Sequence, residues 1–298
     1  MPPPDRASMA ANGAPHRLAP AERVRARIRP ITGAALAEAM PSGYQRLGRV
    51  LLLRLPASYR PYFGPIGRSW QETLGVATVL TQVGPVSGEL RTPTVERIAG
   101  SETETEVVEH GIRWRFDAAR IMFAAGNRTE RDRVRHLVRP GERVVDLFAG
   151  IGYFAIPAAR SGPETRVLAV EKNPVAFHYL VDNARRNHVA EQVDCRLGEN
   201  RSVALPSGEA DRVFLGYLPD ATPWVPRALE LLSPDGGWIH VHTVADARGA
   251  PSNAVALVSS ALRGAGARAT GPLRARKVKP YGPGRTHVVV DAHVVPRG

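Results

Sequence analysis

The stretch "VVDLFAGIGYFAIPAAR", residues 144–160, sets a carboxylate at the end of a valine run, then two glycines one residue apart, then an alanine-rich segment. It reads as a strand, a tight turn and the start of a helix, the opening of a βαβ unit. Gly150, Gly152 and Ala155 fit the spacing G-x-G-x-x-A, and Glu171 closes the next apolar run, "RVLAVE", 21 residues after Gly150. This is the fingerprint of a nucleotide-cofactor site in a doubly wound sheet. The turn lets backbone approach the ligand, and the strand-end acid takes ribose hydroxyls.

Asp146 selects the cofactor. In dinucleotide enzymes the helix N-terminus behind the glycine turn receives a pyrophosphate, which a carboxylate just ahead of the turn repels. S-adenosylmethionine has no phosphate, and its sulfonium and ammonium suit an acid. It is the expected cofactor, and a nicotinamide oxidoreductase is the displaced reading. Phe148, Gly150 and Gly152 then line the cofactor turn, and Glu171 accepts from the ribose. A third strand end, "CRLGENRS", supplies Glu199 and Asn200, an acid-amide pair suited to the amino group and ring nitrogens of adenine.

Outward from this turn, apolar strand runs alternate with helical segments, as in a parallel sheet. "RVVDLF", "RVLAVE", "VDCRLG", "DRVFLG" and "GWIHVHTV" are the expected strands. Helices are expected near 154–160, 174–187, 223–232 and 253–263. The C-terminal "RARKVKPYGPGRTHVVVDAHVV" reads as two strands joined by a basic Gly/Pro loop, a hairpin closing the sheet edge. Upstream, "YQRLGRVLLLRLP", "GVATVLTQVG", "TPTVERIAG" and "TETEVVEHGIRWRFD" are strands around a short helix near Trp70. The expected fold is α/β: a class I, Rossmann-like S-adenosylmethionine-dependent transferase domain preceded by a small α+β domain. Its divisions are a tail over 1–22, the small domain with a preceding helical segment over 23–117, and the transferase domain over 118–298.

Bulk properties narrow the class. The 298 residues are 43% hydrophobic, enough for two cores. No apolar run nears the roughly 20 residues a membrane span needs, and the N-terminus lacks the apolar region of a secretory signal. The single Cys195 excludes an intrachain disulfide and a cysteine-based zinc site, so a cytoplasmic protein is expected. The net charge of +12 suits a polyanionic partner. Lysine occurs only at positions 172, 277 and 279, and such an arginine bias can also come from codon usage. His240 and His242 alternate along one strand with no third ligand at metal spacing, so a core role is expected and no metal. The segment "RFDAARIMFAAGNRTERDRVRHLV" offers Asp117 and Arg120 as catalytic candidates, with Thr129 as a helix N-cap.

"GIRWRFDAARIMFAAGNRTERDRV", "VVDLFAGIGYFAIPAA", "AVEKNPVAF", "GENRSV" and "KVKPYGPGRTHVVVD" together resemble the enzymes that modify guanosine 37 of tRNA. That superfamily has an N1-methylating branch and a wybutosine-pathway branch that transfers the 3-amino-3-carboxypropyl group of S-adenosylmethionine. The resemblance runs from about Arg23 to the C-terminus. It implies further cofactor contacts at Ala124, where relatives often carry serine, and at Arg131. It also implies a tRNA anticodon stem-loop as partner, and a monomer. The methylating branch holds its target base with the asparagine of an Asn-Leu-Pro or Asn-Pro-Pro at the fourth strand end. Here "DRVFLGYLPD" puts Gly216 in that place, with Pro219 following, which points to aminocarboxypropyl transfer. N1-methylation of guanine 37 is the alternative, and a non-catalytic RNA-binding protein on the same fold is a third reading. Gly216 and Pro219 are the expected acceptor contacts. Lys277, Lys279 and Arg285 are the expected tRNA contacts.

Overall fold

The computed structural model describes residues 18–86 and 88–296. The tail expected over 1–22 falls mostly on residues 1–17, outside the described residues. Pro20 already opens the first helix.

The chain forms two compact units. The first comprises residues up to Arg46, Leu51–Val83 and Val95–Glu102. Its helix α1, Pro20–Thr32, begins with proline at its first turn, where the missing N–H costs nothing; Glu22 accepts from the Ala19 N–H at 2.9 Å. Ala21, Val24 and Ile28 recur at helical spacing and are buried. After α2, Ala34–Ala39, come β1, Tyr44–Leu47, and β2, Val50–Leu53, where the sequence suggested one continuous run. Gly48, at φ +55°, breaks that run into two neighbouring strands. Helix α3, Phe63–Leu74, buries Phe63, Ile66, Gly67 and Trp70 and stops at Gly75 in the left-handed conformation. A Cβ on Gly67 would lie 2.5 Å from the Ile98 carbonyl, so glycine permits the close helix–strand approach. β3, Thr78–Gln82, and β4, Val95–Ala99, complete a four-stranded sheet in the order β1-β2-β3-β4. Val24, Ile28, Met40, Leu51, Ile66 and Trp70 form its core.

The second unit takes Leu47–Val50, Gly84–Thr94 and everything from Thr103 onward. It therefore includes the hairpin of β5, Glu104–Glu109, and β6, Ile112–Asp117. Then follow α4, Arg128–Leu137; β7, Arg143–Asp146; α5, Ala155–Ala159; β8, Arg166–Glu171; α6, Pro174–Arg186; β9, Val193–Leu197; and β10, Arg212–Leu215. The chain continues through α7, Val225–Leu231; β11, Gly237–Asp246; α8, Ala250–Gly264; and strands β12, Ala267–Ala269, β13, Arg274–Gly282, and β14, Arg285–Pro296. All five expected parallel strands form, in the order β11-β10-β7-β8-β9. β14 lies antiparallel to the whole of β11, and its other edge is shared by β13 and β12. The C-terminal hairpin thus forms, with β14 inside the sheet and β13 outermost. Val213, Leu215, Ile239, Val241, Val288 and Val290 pack beneath α7 and α8. Asn183 on α6 and Asn187 at its C-terminal end pair through their side chains with the Arg115 and Arg113 backbone, satisfying the free edge of β6.

Candidate functional site

The site grows from the C-terminal ends of β7, β8 and β10. Beyond Asp146 the chain is held on both sides: Leu147 N–H donates to the Phe214 carbonyl at 3.2 Å and Ala149 N–H to the Val170 carbonyl at 2.9 Å. The turn then uses its glycines. Gly150 and Gly152 sit at φ +57° and +103°, and a Cβ on Gly152 would come within 2.5 Å of Ile156. Glu171 locks this turn, with Oε2 accepting from the Gly150 N–H and Oε1 from the Asn173 N–H, both at 2.7 Å. Asn173 in turn caps α6 by accepting from the Val175 N–H.

Asp146 is fully buried. Its Oδ1 accepts from the Phe148 N–H at 3.1 Å, and Oδ2 has no hydrogen-bond partner among the described residues. Burial pushes its pKa up to about 7. The Phe148 N–H opposes that, the Glu171 charge adds to it, and the Ala155 N–H at the start of α5 opposes it. Burial likewise raises the Glu171 carboxyl above its ordinary range. Two acids crowd the turn with an orphaned oxygen between strand and helix. A pyrophosphate would add negative charge there and compete with Asp146 for the α5 N-terminus. The ammonium and sulfonium of S-adenosylmethionine would relieve both defects, so the donor set fits that molecule.

The adenine side departs from expectation. Asn200 is buried and its amide is engaged within the protein: Nδ2 donates to the Leu147 carbonyl at 3.1 Å, and Oδ1 accepts from the Trp224 indole N–H at 2.9 Å. It braces the loop after β7, with its oxygen and one of its two amide N–H groups engaged inside the protein. Glu199 is exposed and pairs with Lys172 at 3.2 Å, which also reaches Glu89 at 2.8 Å. Phe148, Tyr217 and Trp224 form an aromatic wall, each ring centroid 5.1–5.2 Å from the next, with the Arg201 guanidinium 4.5 Å above Trp224. Tyr217 and Trp224 carried no signal in the sequence beyond their proximity to strand ends.

At the fourth strand end Gly216 packs on Phe154, whose Cε2 would lie 2.8 Å from an added Cβ. The peptide between Leu218 and Pro219 is cis. Arg91 donates to the Leu218 carbonyl at 2.9 Å and touches the Met122 sulfur, while the Tyr153 hydroxyl donates to the Met122 carbonyl at 2.8 Å.

This constellation, with its domain order, matches two family models: the TRM5/TYW2 methyltransferase domain over residues 105–267 and the TYW2 N-terminal domain over residues 24–103. The chain belongs to the TRM5/TYW2 family. It is 36% identical over 277 residues to the tRNA(Phe) (4-demethylwyosine(37)-C(7)) aminocarboxypropyltransferase of Pyrococcus horikoshii, spanning 91% of this chain and 97% of that one. Among solved structures, it resembles Pyrococcus horikoshii TYW2 in complex with MeSAdo at a TM-score of 0.80 and 32% identity, over 93% and 100% of the two chains. It resembles Trm5b from Pyrococcus abyssi at a TM-score of 0.74 and 28% identity, over 88% and 78%.

Of the other residues singled out in the sequence, several have surroundings other than those expected, while His240 and His242 lie in the core as expected. Arg131 is buried, paired with Glu109, donating to the Ala124 carbonyl at 3.1 Å and stacked 4.6 Å from the Phe123 centroid. Its guanidinium fixes the Ala124 backbone from inside the protein. Asp117 caps a turn by accepting from the Ala119 N–H at 2.8 Å, and Arg120 is exposed with no side-chain partner among the described residues. Neither touches Asp146, Gly150 or Glu171 in the network described above. Asn127, not Thr129, holds the N-cap position of α4, and Thr129 lies in the first turn. Lys277 and Arg285 are exposed, whereas Lys279 is half-buried, so the three do not form one outward patch. His240 bonds Asp291 at 2.6 Å and Arg212 at 2.7 Å, and His242 bonds His287 at 2.8 Å, all within the core. Among the described residues no cluster of acids, histidines or cysteines could hold a metal ion, and no helix is long and apolar enough to cross a membrane.

Proposed function

We propose that this protein transfers the 3-amino-3-carboxypropyl group of S-adenosylmethionine to a ring carbon of the tricyclic wybutosine precursor at position 37 of tRNA. The observation that carries the reading is Gly216. The Phe154 ring fills the space behind it, so the fourth strand end presents no side-chain amide with which to clamp a guanine. The Pyrococcus horikoshii relative, aligned over nearly its whole length, is named for the same transfer.

The cofactor supplies a sulfonium-activated carbon; the acceptor carbon bonds to it as the carbon–sulfur bond breaks, leaving 5′-methylthioadenosine and releasing the acceptor's ring proton. The chain's own residues bind and orient. Glu171, held by the Gly150 and Asn173 amides, takes the ribose hydroxyls. Asp146, ionised in the complex, faces the positive charge of the methionine end. Phe148 and the Glu199–Asn200 loop flank adenine, the latter through its backbone and Glu199. Arg131 acts through Ala124 by fixing its carbonyl. Gly216 and Pro219 line the acceptor side. Exposed Lys277 and Arg285 hold the anticodon stem-loop. The protein works as a monomer in the cytoplasm, where its substrate resides.

The test is a pair of isotopic labels. Methionine carboxyl-carbon label in S-adenosylmethionine should enter precursor-bearing tRNA, and methyl label should not. Methyl label entering tRNA with an unmodified guanosine 37, without carboxyl label, would reverse the assignment in favour of N1-methylation.

A further inference from the structure

Lys277 and Lys279 are two residues apart on β13, which in a regular strand would put both side chains on one face. A register irregularity intervenes: Lys277 pairs with Val288, and Lys279 pairs with the adjacent His287. The two lysines end in different surroundings. Arg276 and Lys277 are exposed, while Lys279 is half-buried with its stem against the turn before α4. A Cβ on Gly126 would lie 2.7 Å from Lys279 Cδ, so the absence of a side chain there gives the lysine its berth.

The ammonium so placed has no carboxylate or other hydrogen-bond partner among the described residues, and its charged neighbours are the cations Arg91 and Arg131. Burial first, then those two charges, pulls its pKa down to about 8. Arg131 is matched by Glu109. Arg91 donates to the Leu218 carbonyl and has no carboxylate partner among the described residues. Like charges gathered in a half-buried place are unfavourable unless an anion completes the set. The surroundings fix which end of the site this is. Arg91 spans from Leu218, two residues past Gly216, to Met122, two residues before Ala124.

We propose that Lys279, assisted by Arg91, receives the α-carboxylate of the aminocarboxypropyl group and so selects which carbon of S-adenosylmethionine is presented to the acceptor. This rests on the transfer proposed above and moves Lys279 from the tRNA surface to the donor subsite. A backbone phosphate of a folded RNA stem is the other anion available. It would meet the exposed Arg276, Lys277 and Arg285 first. A carboxylate on a slender, flexible tail can reach a half-buried ammonium without distorting a helix. Anchoring that tail also gives a geometric basis for regioselectivity, since the three carbons on sulfur are all activated and only one is held toward the acceptor.

Three ligands separate the possibilities by calorimetry on the full chain: S-adenosylmethionine, decarboxylated S-adenosylmethionine and 5′-methylthioadenosine. The wild-type protein should prefer S-adenosylmethionine over its decarboxylated form by roughly tenfold or more, the scale of one charge-assisted hydrogen bond. Lys279→Met should erase that preference and leave the affinities for the other two ligands unchanged, and Lys279→Arg should restore it. A wild-type protein that binds both forms of S-adenosylmethionine equally overturns the proposal without recourse to any variant. Equal weakening of all three ligands in Lys279→Met makes the residue a packing element. Unchanged S-adenosylmethionine affinity with weakened tRNA binding assigns it to a phosphate. Failure of the wild type to bind any of the three would instead strike the proposed function itself.

Discussion

Acidification should weaken cofactor binding through Asp146. The carboxyl is fully buried, one oxygen lacks a partner among the described residues, and its pKa stands at about 7 in the free protein. A cationic ligand binds the ionised form. Asp146 is about half ionised at pH 7 and about 3% ionised at pH 5.5, so S-adenosylmethionine affinity should fall roughly 15-fold between those values. An α-amino group titrates near 7.7–8.0, so the ligand's ammonium stays mostly charged between pH 5.5 and 7. The stability of the free protein has the opposite sign. Because the folded pKa is raised, the protonated acid contributes stability that is fully present below about pH 4 and lost as pH rises through about 7; saturating cofactor should reverse that trend. Calorimetric titrations from pH 5.5 to 7.5, with melting curves over pH 4 to 8, measure both. Asp146→Asn should flatten most of the affinity profile, leaving the shallower contribution of Glu171, which burial displaces in the same direction. An equally steep profile in Asp146→Asn would refute the reasoning, as would a flat one in the wild type.

Gly216→Ala should destabilise the protein by about 1–3 kcal/mol, since the new Cβ meets the Phe154 ring, and Phe154→Leu in the same chain should recover part of that loss in thermal melts. Arg131→Met leaves the buried Glu109 carboxylate without its partner, so chemical denaturation should show a loss of about 3–5 kcal/mol, partly recovered by Glu109→Gln. Replacing the exposed Arg276, Lys277 and Arg285 by alanine should flatten the salt dependence of tRNA binding and leave cofactor affinity unchanged; an unaltered slope would mean that these charges make no phosphate contacts.

The alternation of apolar strands with helical segments determined the parallel sheet. The order of acid, glycine turn and second acid determined the glycine turn and the carboxylates that hold it. Both are local: a strand's period, the positive φ of Gly150 and Gly152, and the carboxylates at the ends of β7 and β8 are properties of short contiguous segments. The tertiary structure decided what depends on residues far apart in the chain. Asn200 lies at the strand end where sequence placed it, yet its amide is claimed by Leu147 and Trp224, because a buried amide must satisfy its hydrogen bonds wherever partners lie. Arg131 was expected at the cofactor, but its pairing with Glu109, 22 residues away in the chain, which buries it as a brace for the Ala124 backbone, could be seen only in the tertiary structure. Gly216 was visible as a missing asparagine; that Phe154 stands behind it required β7 and β10 to be neighbours. Lys279 shows the limit most plainly. Strand alternation groups it with Lys277, and only the irregular pairing of β13 with β14 turns it inward, because a bulge breaks the two-residue period on which the sequence reading relied.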